Sequence, residues 1–212
     1  MKLILPKLYA ITDARLSTLS HAEQLARLAD GGAMLIQLRE KWASPREFYR
    51  EAQAAVRVAR ARGVKLIIND RADIALACGA DGVHLGQDDL PPAAARRLLG
   101  DRFIIGYSTH DLAQIEEASR LSVDYVAFGP VFPTRSKEKA DAVVGLSLLS
   151  LARAALDPSI PLVGIGGITR ENARAALDAG ANSVAVISAL VSDSSEIARR
   201  TREFLNEFGC VS

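Results

Sequence analysis

Three alternating polar residues, Gln37, Arg39 and Lys41, follow an apolar run early in the chain. In an extended segment, side chains two positions apart point the same way, so all three would face one side. Two converging cations resist desolvation unless an anion lies between them. The spacing therefore predicts a site for an anionic ligand. The alternative is a strand-end cluster of salt bridges with Glu40 or a neighbour.

Two later apolar runs end beside acidic residues. Asn69 and Asp70 close one run, and the next contains His84 and is followed by Asp89. Mg²⁺ prefers a few carboxylates together with water and substrate phosphates. We therefore expect Asp70 and Asp89 to bind Mg²⁺ next to the cations, with the alternative that they only cap the helices that follow. His84 lies within its run and is expected to stack on a ligand ring or to hydrogen-bond to it.

A glycine-rich turn, residues 164–169, follows the seventh apolar run. Glycines allow backbone N–H groups to approach a phosphate at the start of a helix. Such a turn is weak evidence alone, but Ile187 and Ser188 end the eighth run and would complete the site. The two segments together predict a second anion site, suited to a monophosphate.

The segment after the sixth run is rich in hydroxyl and cationic groups over residues 129–137. With residues 138–144 it forms the largest insertion in the chain, and we expect it to cover the substrate. Ser108 ends the fifth run and His110 follows it; His110 is interpreted as a surface residue at a helix start. His21, which begins an exposed helical pattern, is expected to have no special role.

These residues need elements that bring them together, and short apolar runs alternate with longer amphipathic ones along the whole chain. The predicted strands are Leu8–Thr12, Met34–Arg39, Lys65–Ile68, Gly82–Leu85, Ile104–Ser108, Tyr125–Phe128, Pro161–Gly164 and Ser183–Ile187. The predicted helices are His21–Asp30, Pro45–Arg62, Arg71–Cys78, Pro91–Leu99, Leu112–Arg120, Leu146–Leu156, Glu171–Ala179 and Ser195–Phe208.

Eight such units predict an α/β protein that folds as a single-domain (β/α)8 TIM barrel over residues 1–212. In this fold, function lies at the C-terminal ends of the strands, where the polar residues above are found. A doubly wound open sheet is the alternative. The segment 12–15, which follows the first strand, lacks the glycine-rich fingerprint of a dinucleotide-binding sheet.

The composition is that of an ordinary globular protein, with 49% hydrophobic and 24% charged residues. The net charge of +1 gives no reason to expect a nucleic-acid partner. Cys78 and Cys210 match no metal-binding or redox spacing. Without an apolar run long enough to span a bilayer, we expect no membrane partner and a cytoplasmic location. The sequence leaves the oligomeric state open, including a homo-oligomer.

Five motifs occur in order and together resemble the thiamine phosphate synthase family, and the similarity extends over nearly the whole chain, from residues 8–13 to residues 185–188. They are Gln37-Leu38-Arg39-Glu40-Lys41, Ile68-Asn69-Asp70, Gly82-Val83-His84-Leu85-Gly86-Gln87-Asp88-Asp89, Gly129-Pro130-Val131-Phe132-Pro133-Thr134 and Gly164-Ile165-Gly166-Gly167-Ile168-Thr169. The resemblance implies a transferase that joins hydroxymethylpyrimidine diphosphate to a thiazole phosphate, forming thiamine phosphate and diphosphate.

The resemblance also implies site residues. Those for the pyrimidine diphosphate are Gln37, Arg39, Lys41, Asn69, Ser108 and Lys137, to which His84 is added from its position. Those for the thiazole phosphate are Thr134, Arg135, Ser136, Gly167, Ile187 and Ser188. Asp70 and Asp89 would bind Mg²⁺, and Arg39, Lys41, Ser108 and Lys137 would act in catalysis. Ser136 departs from the usual Thr of the family but keeps the hydroxyl.

The implied reaction needs a stabilised leaving group more than a base, because the electron-rich aminopyrimidine can delocalise positive charge on the reacting carbon. Two alternatives on the same barrel remain open at this point. One is a thiazole tautomerase, in which His110 would be the acid/base candidate and no diphosphate site is needed. The other is a non-catalytic regulatory paralogue, which should lack the metal carboxylates that this chain has. A generic sugar-phosphate isomerase would leave the segment 37–41 unexplained.

Overall fold

A computed structural model, which describes residues 4–134 and 142–209, contains eight parallel strands closed into a barrel in sequence order. The strands are β1 (Leu8–Asp13), β2 (Leu35–Arg39), β3 (Lys65–Asn69), β4 (Gly82–Leu85), β5 (Ile104–Thr109), β6 (Tyr125–Phe128), β7 (Leu162–Ile165) and β8 (Ser183–Val186). The predicted (β/α)8 barrel is confirmed, and the open-sheet alternative is excluded because β1 pairs with β8.

Helices follow the strands on the outside of the barrel. They are α1 (His21–Asp30), α2 (Pro45–Arg62), α3 (Ala72–Cys78), α4 (Pro92–Leu99), α5 (Leu112–Ala118), α6 (Gly145–Ala155), α7 (Arg170–Asp178), α8 (Ser188–Val191) and α9 (Ile197–Glu207). The short helix α8 was not predicted, because four residues are too few to show a helical period. Its presence also ends β8 one residue earlier than predicted, and Ile187 becomes the N-cap of α8.

Three strands are one residue longer than predicted and end at the polar residues Asp13, Asn69 and Thr109. Each of these residues pairs in register with the neighbouring strand. In the sequence, a polar residue indicates the end of a strand. In the closed barrel, the hydrogen bonding between neighbouring strands continues through that residue to the edge of the cavity. This extension places the candidate side chains on rigid backbone.

Two layers of apolar side chains hold the barrel together. The larger cluster lies between the strands and the surrounding helices, and it includes Leu25, Leu38 and Ile115. The smaller cluster fills the barrel interior and includes Tyr9 and Tyr125, which are among the largest fully buried side chains. The interior is therefore packed below the strand ends, and the larger cavity opens at the C-terminal mouth.

The start of α2 is stabilised by a capping box at Ser44. The Ser44 side chain accepts from the Glu47 N–H, and the Glu47 side chain accepts from the Ser44 N–H, with Pro45 in the first turn. Gly63 ends this helix in the left-handed conformation, at φ 66°. These signals define the helix that follows the segment 37–41 and so limit the length of the loop that carries it.

No helix within residues 4–134 and 142–209 has both the length and the apolar character needed to cross a bilayer. Cys78 is half-buried at the end of α3. Cys210 lies outside the described residues.

Candidate active site

A cavity of about 950 Å³ opens at the C-terminal ends of the strands. Every predicted site residue that the structure describes lines this cavity. These residues are Gln37, Arg39, Lys41, Asn69, Asp70, His84, Asp89, Ser108, Thr134, Gly167, Ile187 and Ser188. Arg135, Ser136 and Lys137 lie outside the described residues. The residues of the two predicted anion sites therefore line one cavity.

The cations at the end of β2 each have a carboxylate partner, but neither partner is Glu40. Arg39 Nη1 donates to Asp13 Oδ2 at 2.5 Å, and Lys41 Nζ pairs with Asp70 Oδ2. The salt-bridge alternative is therefore partly realised, with partners from β1 and β3. Asp13 itself was not among the predicted residues, because an aspartate after a strand looks like an ordinary turn residue.

Glu40 instead supports the backbone of its own loop. Its Oε1 accepts from the N–H groups of Trp42 at 2.7 Å and Ala43 at 3.1 Å, and its Oε2 lies 3.3 Å from His21 Nε2. Burial raises the pKa of Glu40, but these hydrogen bonds outweigh it and hold the pKa below its usual value. The loop between Arg39 and α2 is thereby held in one conformation.

His21 is buried, with 1% of its surface exposed, so the expectation of an exposed residue without a role was wrong. Its Nδ1 lies 2.7 Å from Thr12 Oγ1, and its Nε2 faces Glu40. The residue joins β1, α1 and the loop after β2. The helical pattern did not show this, because a first-turn position can face either solvent or a neighbouring loop.

Asp70 and Asp89 do not cap helices, so that alternative for the two residues is excluded. The N-caps of α3 and α4 are Arg71 and Pro91, and neither helix has a side-chain cap. Asp70 has a φ of 64°, the left-handed region that non-glycine residues rarely adopt. Such strain is retained where the surrounding structure requires it, and it is frequent at functional sites.

Asp70 and Asp89 form a pair of carboxylates at one side of the cavity. Asp89 Oδ2 accepts from the Gly86 N–H at 2.7 Å. Burial, together with the negative charge of Asp70, raises the pKa of Asp89 to about 6. In residues 4–134 and 142–209, no group of three or more His, Cys, Asp or Glu side chains gathers as a complete metal site. Two carboxylates that repel each other fit Mg²⁺, which takes its other ligands from water and phosphate.

The Asn69 side chain carries an unused donor. It is 6% exposed and lines the cavity, and its Nδ2 has no hydrogen-bond partner among the described residues. A buried donor without a partner costs on the order of 1–3 kcal/mol. The atom is therefore suited to an acceptor that a ligand would bring.

The glycine-rich turn after β7 has the backbone conformation that its sequence suggested. Gly166 and Gly167 have φ values of 96° and 64°. A Cβ on Gly167 would lie 2.4 Å from the Pro133 carbonyl oxygen, so a side chain is excluded there. Asn172 holds the turn, because its Nδ2 donates to the Gly167 carbonyl at 2.9 Å and its Oδ1 accepts from the Thr169 N–H at 2.8 Å. Asn172 was missed because it lies inside α7.

Ser188 opens the short helix α8 at the same wall of the cavity. The first N–H groups of a helix have no partner within the helix. Because α8 follows β8 and the Gly167 turn follows β7, which is its neighbour in the barrel, both belong to the part of the mouth where a phosphate is expected in this fold. Thr134 and Ile187 line the cavity as well.

His110 lines the cavity and is half-buried, so the interpretation as a surface residue was wrong. Its Nδ1 lies 2.7 Å from the Gly129 carbonyl oxygen, and its N–H donates to Gln114 Oε1 at 2.8 Å. Because a carbonyl oxygen only accepts, Nδ1 is the protonated nitrogen in this bond.

Two further ring side chains, those of His84 on β4 and Trp42 after β2, line the cavity. The His84 ring nitrogens contact Tyr125 Oη at 3.0 Å and Ser108 Oγ at 2.8 Å. Trp42, the single tryptophan of the chain, has the Arg15 guanidinium 3.8 Å from its ring centre. Trp42 was not predicted, although an exposed aromatic residue directly after two site cations is a signal that could have indicated it.

Comparisons with known proteins agree with this geometry. The model of the thiamine monophosphate synthase family matches residues 8–190. A thiamine-phosphate synthase of Chlorobium luteolum is 50% identical over 203 residues, which cover 95% of this chain and 93% of that protein. One of Koribacter versatilis is 47% identical over 208 residues, covering 95% of each chain.

A solved structure, thiamine phosphate pyrophosphorylase from Pyrococcus furiosus, superposes with a TM-score of 0.85 at 36% identity. The superposition covers 96% of this chain and 95% of that one. The similarity therefore extends over the barrel and its mouth together.

Proposed function

The chain belongs to the thiamine monophosphate synthase family, and from this membership we propose that it joins hydroxymethylpyrimidine diphosphate to a thiazole phosphate, releasing diphosphate and forming thiamine phosphate. The observation that carries the proposal is a cavity lined both by two cations with two carboxylates and by a glycine-rich turn. The first group follows β2, β3 and β4, and the turn follows β7, which lies opposite β3 in the closed barrel. A barrel with only one anion site would suit an isomerase; a transfer between two phosphorylated molecules needs both.

The diphosphate lies against Arg39 and Lys41 in this proposal. Both side chains reach the cavity from the end of β2, and their partners Asp13 and Asp70 hold them there. A guanidinium has five N–H donors, so the bond to Asp13 leaves most of Arg39 available for phosphate oxygens. Lys137, which lies outside the described residues, is proposed as a third cation.

Asp70 and Asp89 are the residues that would hold Mg²⁺. The ion, when bound, would neutralise negative charge on the diphosphate oxygens as a Lewis acid. The raised pKa of Asp89 supports this role, because burial and the neighbouring charge of Asp70 cause it, and a bound cation would offset both.

The pyrimidine is proposed to lie over the polar floor formed by Gln37, Asn69, His84 and Ser108. Gln37 is 3% exposed, and the Asn69 amide has the unused donor described above. A pyrimidine ring carries nitrogen acceptors, which would satisfy such a donor. Binding in this position would bring the reacting carbon above the floor and the diphosphate towards the cations.

The thiazole phosphate is proposed to bind the opposite wall. The N–H groups of Gly167 and Ser188 would face the phosphate, and Thr134 and Ile187 would contact the rest of the molecule. Arg135 and Ser136 belong to this group by their place in the sequence and lie outside the described residues. The phosphate anchor would hold the thiazole nitrogen near the reacting carbon, which replaces a bimolecular encounter by a positioned one.

In the proposed reaction, the carbon–oxygen bond to diphosphate breaks first, and its electron pair leaves with the oxygen. Arg39 and Lys41 stabilise the charge that develops there, a contribution of several kcal/mol in such sites. The aminopyrimidine ring delocalises the positive charge on the carbon. The lone pair of the thiazole nitrogen then forms the new carbon–nitrogen bond, and no covalent bond to the protein is made.

The proposal is tested by measuring thiamine phosphate and diphosphate from the two substrates with Mg²⁺. We expect equal amounts of both products from the wild type, and a fall in kcat of about a hundredfold in Asp89→Ala. Asp101→Ala, which changes an exposed aspartate outside the cavity, is the matched control and should keep the wild-type rate. No thiamine phosphate from the wild type would overturn the function; full activity of Asp89→Ala would overturn only the metal role.

A further inference from the structure

A continuous chain of hydrogen bonds crosses the barrel interior below the cavity. Gln37 Nε2 donates to Tyr9 Oη at 2.9 Å, and Tyr9 Oη lies 2.8 Å from Tyr125 Oη. Tyr125 Oη lies 3.0 Å from His84 Nδ1, and His84 Nε2 lies 2.8 Å from Ser108 Oγ. The chain begins and ends at two residues that line the cavity, and its inner members come from β1, β6 and β4.

The three rings in the middle of this hydrogen-bonded series, those of Tyr9, Tyr125 and His84, also pack closely against one another. The rings of Tyr9 and Tyr125 meet edge to face at 5.7 Å, and those of His84 and Tyr125 stack at 5.5 Å. Gly106 makes the room, because a Cβ there would lie 2.1 Å from Tyr125 Cζ and 2.5 Å from His84 Nδ1. Tyr9 and Tyr125 are fully buried, and burial is the main cause that raises the pKa of both phenols, so both keep their protons.

Counting protons gives the chain a direction. The Gln37 nitrogen can only donate, so Tyr9 Oη accepts from it, and Tyr125 Oη is the acceptor that the described residues offer to the single Tyr9 hydrogen. Because a buried hydrogen without an acceptor is costly, Tyr9 donates to Tyr125. The Tyr125 hydrogen then goes to His84 Nδ1, which makes Nδ1 an acceptor. A neutral imidazole with an accepting Nδ1 carries its proton on Nε2. His84 Nε2–H therefore donates to Ser108 Oγ, and the Ser108 hydrogen is not used in the chain.

We propose that Tyr9, Tyr125 and His84 are positioning residues that make the Ser108 hydroxyl a hydrogen-bond donor towards the substrate. The inference rests on the proposed function for the identity of that substrate. Ser108 would then recognise an acceptor atom, either a pyrimidine ring nitrogen or a diphosphate oxygen. A hydroxyl without this constraint can rotate and accept as readily as it donates, so the chain adds selectivity that Ser108 alone lacks.

The direction can be measured without any assay of activity. In ¹⁵N-labelled protein, we expect His84 to be the Nε2–H tautomer. Gln37→Glu replaces the donor at the head of the chain by a carboxylate, which only accepts when ionised. We expect this change to reverse every bond and to convert His84 to the Nδ1–H tautomer. Tyr9→Phe interrupts the chain, so the double variant Gln37→Glu/Tyr9→Phe should not show that conversion.

An Nδ1–H tautomer of His84 in the wild type would overturn the proposal, and so would a His84 tautomer that does not respond to Gln37→Glu. These outcomes do not depend on which reaction the protein catalyses. Absence of thiamine phosphate synthesis would instead count against the proposed function, so the two failures are distinguishable.

The effect on the substrate is tested by a double-mutant cycle. We expect Ser108→Ala and Tyr9→Phe each to lower kcat/KM for the pyrimidine diphosphate about tenfold, the value of one hydrogen bond of about 1.4 kcal/mol. Because Tyr9 acts through Ser108, the double variant should lose no more than Ser108→Ala alone. Tyr49→Phe, a change at a tyrosine on α2 outside the cavity, should keep the wild-type value. Additive losses from the two variants would contradict the proposal.

Binding of two probes identifies the acceptor atom. If the acceptor is a ring nitrogen, Ser108→Ala weakens the binding of the unphosphorylated hydroxymethylpyrimidine. If it is a phosphate oxygen, the variant weakens the binding of inorganic diphosphate in the presence of Mg²⁺. Unchanged affinity for both probes would show that Ser108 donates to neither and would overturn the proposal.

Discussion

Arg39 Nη1 donates to Asp13 Oδ2 at 2.5 Å, and the two residues are register partners at the C-terminal ends of β1 and β2. The side chains are 12% and 3% exposed. Asp13 Oδ1 also accepts from the N–H of Arg15 at 2.9 Å and of Leu16 at 3.3 Å. Gln24 binds the Asp13 backbone, since its Oε1 accepts from the Asp13 N–H at 3.1 Å. The carboxylate that holds Arg39 at the cavity wall is thus itself held in place.

Removing Asp13 should therefore destabilise the fold. Asp13→Ala leaves the Arg39 charge without its partner, and we expect a loss of about 3 kcal/mol in the free energy of unfolding. Asp13→Asn should lose less, because its amide oxygen can still accept from the two backbone N–H groups. Urea unfolding of both variants measures the difference. A loss below about 0.5 kcal/mol in Asp13→Ala would mean that the pair behaves as a surface salt bridge.

The raised pKa of Asp89 makes Mg²⁺ binding depend on pH. With a pKa of about 6 against the usual 3.8, the folded protein holds this proton more tightly than the unfolded chain does. In the absence of metal, the contribution of Asp89 to stability is therefore present at low pH and is lost as pH rises through about 6. Mg²⁺ needs the ionised carboxylate, so it must displace the proton at low pH.

We expect Mg²⁺ to raise the Tm more at about pH 7.5 than at about pH 5, as measured by thermal unfolding at fixed metal concentration. Asp89→Asn removes the titrating charge, so it should raise the metal-free Tm at the higher pH and abolish most of the response to Mg²⁺. An equal increase in Tm at both pH values would contradict the assignment of Asp89.

Two strand glycines should differ in their tolerance of a methyl group. A Cβ at Gly106 would lie 2.1 Å from Tyr125 Cζ, and we expect Gly106→Ala to cost about 1–3 kcal/mol of stability through overpacking. At Gly164 the nearest atoms would be 3.6–3.7 Å away, an ordinary contact. Gly164→Ala on β7 is therefore the matched control and should leave stability within about 0.5 kcal/mol. Equal losses of stability in the two variants would show that close packing against Tyr125 does not decide the cost at Gly106.

Trp42 should report on the occupation of the cationic side. It lines the cavity, with Arg15 at 3.8 Å and Arg39 at 5.7 Å from its ring centre. If diphosphate with Mg²⁺ binds Arg39, the charge near the indole changes, and we expect a change in tryptophan emission. Because the chain has one tryptophan, the signal comes from this position alone. In Arg39→Gln, the diphosphate concentration that gives half of the emission change should rise at least tenfold. An unchanged concentration would contradict the role of Arg39.

Much of the architecture followed from local patterns in the chain. The strand runs were short and apolar because each strand is buried on both sides, and the helices α1 and α2 have the predicted ends, with a hydroxyl N-cap at Ser44 and a left-handed glycine at Gly63. The polar residues of the site, such as Asn69, were predicted because each one interrupts the apolar pattern where a strand ends. The fold requires strand ends to meet at one mouth, so residues as distant as Gln37 and Ser188 were predicted to lie at the same mouth, and both line the cavity there.

Other features could not be read from the sequence because they depend on contacts between distant segments. His21 has the position of a helix start, and Tyr9 and Tyr125 lie in apolar strands like ordinary core residues. Nothing in the neighbouring sequence shows that the two tyrosines meet and hydrogen-bond to His84. Asp13 looked like a turn residue until the register of β1 and β2 placed it against Arg39.

The sequence by itself determined the barrel, the family and the residues at the mouth, because hydrophobic period, turn chemistry and motif order are properties of neighbouring residues. Only the tertiary structure decided how those residues are paired and which hydrogen bonds set their donor or acceptor state. Pairing depends on strand register and on the space left by residues such as Gly106. These are properties of chain segments that are far apart in sequence and adjacent only after the barrel closes.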